Sequence, residues 1–226
     1  MRWCFYKSAP AIISASGFIF SLFIYMAVKY LPPDADLLLW ATVIFTQTLS
    51  GLMFGLLIKK LHDRSNSDSL TGLKNRRYFY NRLAHEMGRL KKVKSSVSLA
   101  VIDVDNFKNI NDTYGHVEGD RVLAELASIF KTHARAKDIV VRWGGEEFAI
   151  ILPDTDCEGA KAYAERIRSV VENHSFPCKV TICIGITCTE IDMDMDKFVA
   201  MADQALYKAK EKKNRVVSMK GQLLLK

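Results

Sequence analysis

Hydrophobic and polar positions divide this chain into two unlike parts. Two intervals near its start, residues 8–28 and 37–58, contain no charged residue and are rich in apolar side chains. A helix of about 20 apolar residues is long enough to cross the hydrocarbon core of a bilayer, so each interval is predicted to be a membrane span. Pro32 and Pro33 lie between the two spans and favour a turn there. Residues 1–58 are therefore predicted to form a two-helix transmembrane hairpin.

The charges that flank these spans predict their orientation. Basic residues precede the first span and follow the second; they are Arg2, Lys7, Lys59, Lys60 and Arg64. By the positive-inside rule both ends of the chain then lie in the cytoplasm, with Lys29 as the one exception. A cleaved signal peptide is the alternative for the first span, but a second full-length span and the lack of a clear small-residue cleavage site disfavour it.

After residue 58, short strands and amphipathic helices replace the long apolar runs. Residues 59–67 form a polar linker that can continue the second membrane helix. Apolar positions at helical spacing predict helices at 76–92, 117–133, 157–172 and 196–212. Alternating or β-branched stretches predict strands at 97–104, 139–143, 148–151, 180–187 and 216–219. Their alternation predicts an α/β or α+β sandwich, in which helices pack on a sheet.

A pair of glycines marks a hairpin between two of the predicted strands. Gly144 and Gly145 separate two short apolar runs, and primed hairpin turns need the positive φ angles that glycine tolerates. The hairpin would present the carboxylates of Glu146 and Glu147 at its tip.

A second acidic pair, Asp103 and Asp105, lies at the end of the predicted strand 97–104. If this strand end meets the hairpin tip at one sheet edge, the carboxylates form a hard-cation site. Mg²⁺ prefers a few carboxylates together with substrate phosphates. For either acidic pair alone, a solvated surface is the more frequent explanation.

Net charge and cysteine content narrow the choice of function only slightly. The chain carries a net charge of +7, which suits anionic lipid, nucleic acid or nucleoside phosphates equally well. Its five cysteines form no C-x-x-C pair and do not cluster with the five histidines, which disfavours a zinc site. The cysteines are therefore predicted to be reduced and structural.

Several separate motifs follow one another in the second part of the chain. They are Asp68-Ser-Leu-Thr-Gly-Leu-Lys-Asn-Arg-Arg77, Asp103-Val-Asp-Asn-Phe-Lys-Asn-Ile-Asn-Asp-Thr-Tyr-Gly-His116, Gly119-Asp120 and Arg142-Trp-Gly-Gly-Glu-Glu-Phe148. Together they resemble the GGDEF family of diguanylate cyclases, in the variant with the signature Gly-Gly-Glu-Glu-Phe, over residues 68–217. The resemblance implies a cyclase domain at residues 68–220, followed by a tail at 221–226. Its expected fold is a mainly antiparallel five-stranded sheet flanked by helices, similar to nucleotidyl cyclases and the polymerase palm.

The resemblance also implies a reaction, its partners and a location. Two GTP molecules would be condensed into cyclic di-GMP and two pyrophosphates by a homodimer, since one site holds one GTP and the product needs two. The expected location is the inner (cytoplasmic) membrane of a bacterium, as a multi-pass protein that does not bind nucleic acid.

The same resemblance assigns the reactive carboxylates. Asp103 and Glu147, with the backbone carbonyl of Val104, would bind Mg²⁺, and Mn²⁺ would also suit these oxygen ligands. Glu146 would assist the metal or help to activate the ribose 3′-hydroxyl.

Further residues match positions that bind GTP in the family. Asn111 and Asp120 would recognise guanine, because a carboxylate can accept hydrogen bonds from N1 and N2 of that base; alone, each would pass for a turn or helix-start residue. The phosphates would lie against backbone amides of the Asn106-Phe107-Lys108 turn, with Lys108 adding charge. The remaining expected contacts come from Gly144, Gly145, Lys210 and Lys213.

The segment after Lys210 departs from the family pattern. It lacks the expected glycine and is one residue short, so that either Lys213 or Arg215 could supply the second positive charge. The alternative for those two residues is a solvated basic helix end.

An Arg-x-x-Asp sequence lies nine residues before the Gly-Gly pair. Arg135 and Asp138 match the site at which cyclic di-GMP inhibits members of the family, although residues three apart also form ordinary surface pairs. The resemblance therefore predicts product feedback inhibition.

Two other functions remain as alternatives. A catalytically silent relative would bind GTP or cyclic di-GMP and signal by protein contact, and the shortened segment after Lys210 is the feature that favours it. A basic nucleic-acid-binding membrane protein is favoured by net charge alone.

Overall fold

The computed structural model describes most of the chain after residue 35. Described are residues 36–90, 95–189 and 193–220, together with Phe20, Phe23, Ile24 and Met26. The chain divides into two compact units, Met1–Leu61 and His62–Lys226.

One long helix accounts for most of what is described in the first unit. Helix α1 runs over Asp36–Ser65 without a break, so it includes most of the predicted linker. Its stretch Trp40–Leu57 has a mean hydropathy of 1.4 and is only 6% buried, which gives it the length and composition of a membrane span. The other half of the predicted hairpin, residues 8–28, lies almost entirely outside the described residues.

The second unit is built on a six-stranded mixed sheet with strand order β1-β3-β4-β2-β5-β6. The three central pairings are antiparallel and the two outer ones are parallel. Its strands are β1 (Lys74–Asn75), β2 (Val97–Val104), β3 (Ile139–Arg142), β4 (Glu147–Pro153), β5 (Ile182–Thr189) and β6 (Val216–Lys220). The predicted mainly antiparallel sheet is confirmed, but the predicted count of five strands is wrong. Strand β1 has two residues, too few to show any periodicity in the sequence.

Among the described residues, five helices cover the two faces of this sheet. They are α2 (Arg76–Leu90), α3 (Phe107–Tyr114), α4 (His116–His133), α5 (Cys157–Asn173) and α6 (Met195–Lys210). Helices α3, α4 and α5 share one apolar cluster with the sheet, while α2 and α6 share another on the opposite face. Because both faces are covered, all eight residues of β2 are buried. The structure is therefore the predicted sandwich, with three layers.

Helix α3 was expected only as a turn. It begins after Asn106, whose φ of 55° lies in the left-handed region, and it ends at Gly115, with a φ of 84°. Only Phe107 and Ile110 among its eight residues are buried, and a helix of about two turns is too short for the apolar spacing to repeat clearly in the sequence.

A disulfide corrects the prediction for the cysteines. Cys157, at the start of α5, is bonded to Cys188 in β5, and their Cα atoms lie 5.5 Å apart, within the usual range for such a bond. Cys178 and Cys183 are free thiols. The two bonded cysteines are 31 residues apart in sequence, and only the packing of α5 on the sheet brings them together.

Candidate functional site

The two acidic segments meet at one end of the central strands. Asp103, the second-last residue of β2, lies directly opposite Glu147, the first residue of β4. The amide of Val104 donates to the carbonyl oxygen of Glu146 at 3.4 Å. The predicted convergence of these segments is confirmed, because antiparallel pairing of β2 with β4 aligns residues distant in sequence.

The hairpin between β3 and β4 differs from the expected one. The amide of Trp143 donates to the carbonyl of Glu147 at 2.8 Å, and neither Gly144 nor Gly145 adopts a positive φ. The prediction of a primed turn is therefore wrong, since three residues rather than two cross the tip. Gly144 has another role: a Cβ there would lie 3.1 Å from Glu147 Oε2, so the absence of a side chain leaves room for that carboxylate.

An arginine fixes the hairpin to the start of the domain. Arg142 donates from Nη2 and Nε to the carbonyl of Gly145, at 2.7 and 3.2 Å, and from Nη1 to Asp68 Oδ1 at 3.1 Å. Burial opposes ionisation of Asp68, but hydrogen bonds from Thr71 and Arg142 outweigh it and hold its pKa below the usual value. This ion pair was not predicted from the sequence.

Lys210, on helix α6, lies beside the carboxylates of this site. Lys210, the last residue of α6, places Nζ 2.7 Å from Asp103 Oδ2. Burial disfavours the charge of Lys210, but the bond to Asp103 prevails and raises its pKa. Burial also raises the pKa of Asp103, and the charges of Glu147 and Asp105 add to the rise against the opposing effect of Lys210.

Glu146 shares this electrostatic environment. Burial raises its pKa, and the charges of Asp103 and Glu147 add to the rise. One ammonium group therefore faces several partly buried carboxylates, an imbalance that a divalent cation would relieve. Across the described part of the chain, no group of three or more His, Cys, Asp or Glu side chains is arranged to hold a metal. A cation here would take further ligands from a backbone carbonyl and from phosphate oxygens.

Asp105 does not belong to this cluster of reactive carboxylates. It accepts hydrogen bonds from Thr181 Oγ1 at 2.7 Å, from Cys183 Sγ at 3.0 Å and from the amide of Asn214 at 2.8 Å. Burial and the bond to Asp105 raise the pKa of the Cys183 thiol to about 12. Asp105 therefore joins β2 to β5 and to the segment that precedes β6.

The expected phosphate-binding turn is the first turn of α3. Phe107 is buried and Lys108 is exposed, and amides at a helix N-terminus favour anions. Lys213 Nζ donates to Asn106 Oδ1 at 2.6 Å. Of the two candidates for the second positive charge, Lys213 therefore reaches this turn, whereas Arg215 contributes a backbone carbonyl to the amide of Ile184 at 2.8 Å.

The two residues expected to recognise guanine lie on neighbouring helices. Gly119 of α4 is buried against α3, and a Cβ there would collide with Asn111 Oδ1 and lie 3.2 Å from Phe107 Cζ. Asp120 is the next residue and is exposed. The two side chains are thus brought to one side of the sheet by the close packing of α3 on α4.

The Arg-x-x-Asp sequence lies at the other end of β3. Asp138 Oδ2 accepts from the amide of Arg135 at 2.7 Å, so the pair closes the turn that follows α4. Asp138 Oδ1 is buried without a hydrogen-bond partner among the described residues. A cavity of about 580 Å³ opens beside this turn, with Lys74 and Arg82 on its wall. The structure does not join this turn to the carboxylate cluster.

Comparison with known proteins is consistent with this geometry. A family model described as "Diguanylate cyclase, GGDEF domain" matches residues 65–215. Diguanylate cyclase A of Treponema denticola is 40% identical over 174 residues, covering 73% of this chain and 47% of that protein. The chain spans less than half the length of the curated relatives it matches.

Solved structures show the same fold. The coiled coil and GGDEF domain of DgcB from Caulobacter crescentus, in complex with c-di-GMP, gives a TM-score of 0.74 at 26% identity, covering 80% of this chain and 99% of that one. The diguanylate cyclase SiaD from Pseudomonas aeruginosa, in complex with its activator SiaC, gives 0.68 at 32% identity, covering 94% and 83%.

Proposed function

We propose that this chain, which belongs to the GGDEF-domain family of diguanylate cyclases, condenses two GTP molecules into cyclic di-GMP with release of two pyrophosphates. The observation that carries the proposal is the pairing of Asp103 with Glu147, with Lys210 Nζ 2.7 Å from Asp103 Oδ2. Partly buried carboxylates beside an ammonium suit a site that binds a cation and phosphates together.

The metal is assigned to Asp103, Glu147 and the carbonyl of Val104, with Glu146 beside them. Bound Mg²⁺, or Mn²⁺, would offset charge on the phosphates of GTP and favour attack at the α-phosphorus. Glu146 is assigned to receive the proton of the ribose 3′-hydroxyl, because burial and its acidic neighbours raise its pKa and make it a better base. The 3′-oxygen then bonds to the α-phosphorus of the other GTP, and pyrophosphate leaves.

GTP is assigned to the surface between the hairpin and helices α3 and α4. Asp120 and Asn111 would bind the guanine edge, and the amides of Phe107 and Lys108 would bind phosphate oxygens. The narrow backbone at Gly144 and Gly145 would let the nucleotide approach the hairpin. Lys210 and Lys213 would supply positive charge to the phosphates of GTP, since they lie beside Asp103 and Asn106.

A homodimer follows from the chemistry, because each domain offers one such site and the product joins two nucleotides. Helix α1 and the membrane hairpin are proposed to hold the two copies together. The solved DgcB structure, which comprises a coiled coil and a GGDEF domain, supports an arrangement of this kind.

Nucleotide selectivity and dilution test the proposed reaction. The full chain in detergent micelles, given Mg²⁺, is expected to release two pyrophosphates for each cyclic di-GMP from GTP and to leave ATP unchanged. The rate per chain should fall on dilution, since two copies must meet. Equal turnover of ATP, or pyrophosphate release without the cyclic product, would contradict the assignment of the guanine and carboxylate sites.

Product inhibition is proposed to act through Arg135 and Asp138. Because an arginine can bind a phosphodiester through charge-assisted hydrogen bonds, Arg135→Ala should raise the half-inhibitory concentration of cyclic di-GMP at least about tenfold. Arg121→Ala serves as the control, since Arg121 is an exposed cation of α4. Unchanged inhibition in Arg135→Ala would show that this turn has only a structural role.

A catalytically silent receptor is the alternative function. The one-residue deletion after Lys210 favours it, because this deletion alters a segment that binds phosphate in the family. The contact of Lys213 Nζ with Asn106 at 2.6 Å supports the active enzyme instead, since the shortened segment still delivers a positive charge to the expected phosphate side.

We also propose that the chain lies in the bacterial cytoplasmic membrane, with two spans and both ends in the cytoplasm. The exposed apolar surface of Trp40–Leu57 supports at least one span. The basic surface is assigned to nucleotide phosphates and not to nucleic acid. Recovery of the chain in the soluble fraction without detergent would contradict the membrane location.

A further inference from the structure

The segment between α6 and β6 has an unusual backbone. Lys213 and Asn214 are consecutive and both adopt left-handed φ angles, 52° and 44°. Asparagine tolerates this region, but for lysine it is disfavoured by contact between Cβ and the backbone. Surrounding contacts must therefore hold the segment in this conformation.

Asn214 uses three of its polar groups to anchor the segment. Its amide N–H donates to Asp105 Oδ2 at 2.8 Å, and its Nδ2 donates to Glu172 Oε1 at 2.6 Å. Its Oδ1 accepts from Arg168 Nη1 at 2.9 Å. The backbone of the segment is thus joined to the end of β2, and its side chain is joined to helix α5.

The contacts on α5 are themselves charge-assisted. Arg168 donates from Nε to Glu165 Oε2 at 2.9 Å and from Nη1 to Glu172 Oε2 at 2.7 Å, and its side chain is only 20% exposed. Hydrogen bonds from Arg168 and Asn214 hold the pKa of Glu172 below its usual value. Glu172 is therefore ionised at neutral pH, and its hydrogen bond with Arg168 joins two charged groups, which makes it stronger than a bond between neutral groups.

This anchored segment carries one functional group toward the nucleotide site. Lys213 Nζ lies 2.6 Å from Asn106 Oδ1, at the residue that precedes α3. A chain of direct contacts therefore leads from Arg168 on α5, through Asn214, to the ammonium of the adjacent Lys213. The hydrogen bonds of Arg168 and Glu172 are made to each other, to Glu165 and to Asn214, away from the carboxylate cluster.

We infer that Arg168, Glu172 and Asn214 are positioning residues that hold the ammonium group of Lys213 at the phosphate-binding end of α3. The inference rests on the proposed function, because it names the device that restores positive charge to the shortened segment. A glycine would adopt a left-handed conformation without strain. In its absence, the hydrogen bonds of Asn214 hold the segment in that conformation. Without these hydrogen bonds, Lys213 would leave the left-handed region, and its ammonium group would move away from Asn106.

Binding of a nonreactive GTP analogue, with a methylene bridge between its α- and β-phosphates, tests the inference without requiring turnover. Arg168→Met in the full chain should weaken binding about tenfold, because one charge-assisted contact to the anchoring asparagine is lost. Arg168→Lys should recover part of the affinity. Lys161→Met is the matched control, since Lys161 is an exposed cation on the same helix, and it should bind as the wild type does.

A double-mutant cycle separates positioning from a general loss of stability. Lys213→Met should weaken analogue binding by a similar factor, and Arg168→Met should cause no further loss in the Lys213→Met chain, because the two changes remove one effect. Losses that multiply, or wild-type binding by Arg168→Met, would overturn the inference. If the wild type binds the analogue and these variants behave as expected but no cyclic di-GMP forms from GTP, the proposed reaction fails while the positioning role stands. A wild type that does not bind the analogue contradicts both.

Discussion

Asp103→Asn is expected to lower kcat for cyclic di-GMP formation by at least about 1,000-fold, because the change removes a charge at the centre of the site. Asp103 faces Glu147 across the strand pair and accepts from Lys210. Asp105 is not available to replace it, because its carboxylate accepts from Thr181, Cys183 and Asn214.

The same variant should remain folded, which distinguishes a functional role from a structural one. Burial raises the pKa of Asp103, so the folded carboxyl holds its proton more tightly than the unfolded one. The folded state therefore loses stability relative to the unfolded state as the pH rises from the pKa of the unfolded carboxyl through that of the folded one. In Asp103→Asn this loss is absent, and the Tm at neutral pH should equal or exceed that of the wild type.

Steady-state kinetics and thermal unfolding in detergent measure both effects. Asp196→Asn is the matched control, since Asp196 is an exposed carboxylate of α6, and its kcat should be unchanged. Turnover retained by Asp103→Asn would show that the metal and the phosphates are bound elsewhere. A large fall in its Tm would instead mean that the carboxylate is needed for folding.

Gly185→Ala is expected to lower the free energy of unfolding of the GGDEF domain by roughly 3 kcal/mol, as insertion of an extra methyl group into a close-packed core does. Gly185 lies in β5, between Val101 of β2 and Val217 of β6. An added Cβ would collide with the backbone of α6 at Ala202 and Leu206. Because backbone cannot turn aside as a side chain can, helix α6 must move off the sheet.

The displacement of α6 should also impair the site, because the same helix carries Lys210 to Asp103. Chemical denaturation of the full chain in detergent measures the stability change. Gly88→Ala is a control that should raise the stability. Nothing lies within 4 Å of the added Cβ on helix α2, and replacing glycine by alanine in a helix should raise the free energy of unfolding by roughly 0.5–1 kcal/mol. A Gly185→Ala chain as stable as the wild type would contradict the packing of α6 on β5.

Elements with a strong periodic pattern were predicted closely from the sequence. Strand β2 was predicted at its observed bounds, because a buried strand of branched residues between polar ends has a clear signature. Helix α4 was predicted within one residue, and β5 was displaced by two at each end. Helix α3 and strand β1 were missed, since a short polar helix and a two-residue strand depend on tertiary contacts for their stability.

The sequence predicted where the carboxylates of the functional site meet, but it did not predict the ion pairs and hydrogen bonds that hold the surrounding segments in place. The strand end at Asp103 and the hairpin at Glu147 were expected to meet, and the β2–β4 register brings them together. The roles of Arg142 and Arg168 were not foreseen, because their partners Asp68 and Asn214 are 74 and 46 residues away in sequence. Only the packed fold reveals which of many surface charges are neighbours.

The central claim is tested most directly by mass spectrometry of the nucleotides that the purified full chain forms from GTP and Mg²⁺. A Glu147→Ala chain of equal stability is measured beside it. The account predicts that cyclic di-GMP accumulates with the wild type and is absent with Glu147→Ala. A folded, dimeric wild type that binds GTP and forms no cyclic di-GMP would contradict it and would identify the chain as a silent receptor.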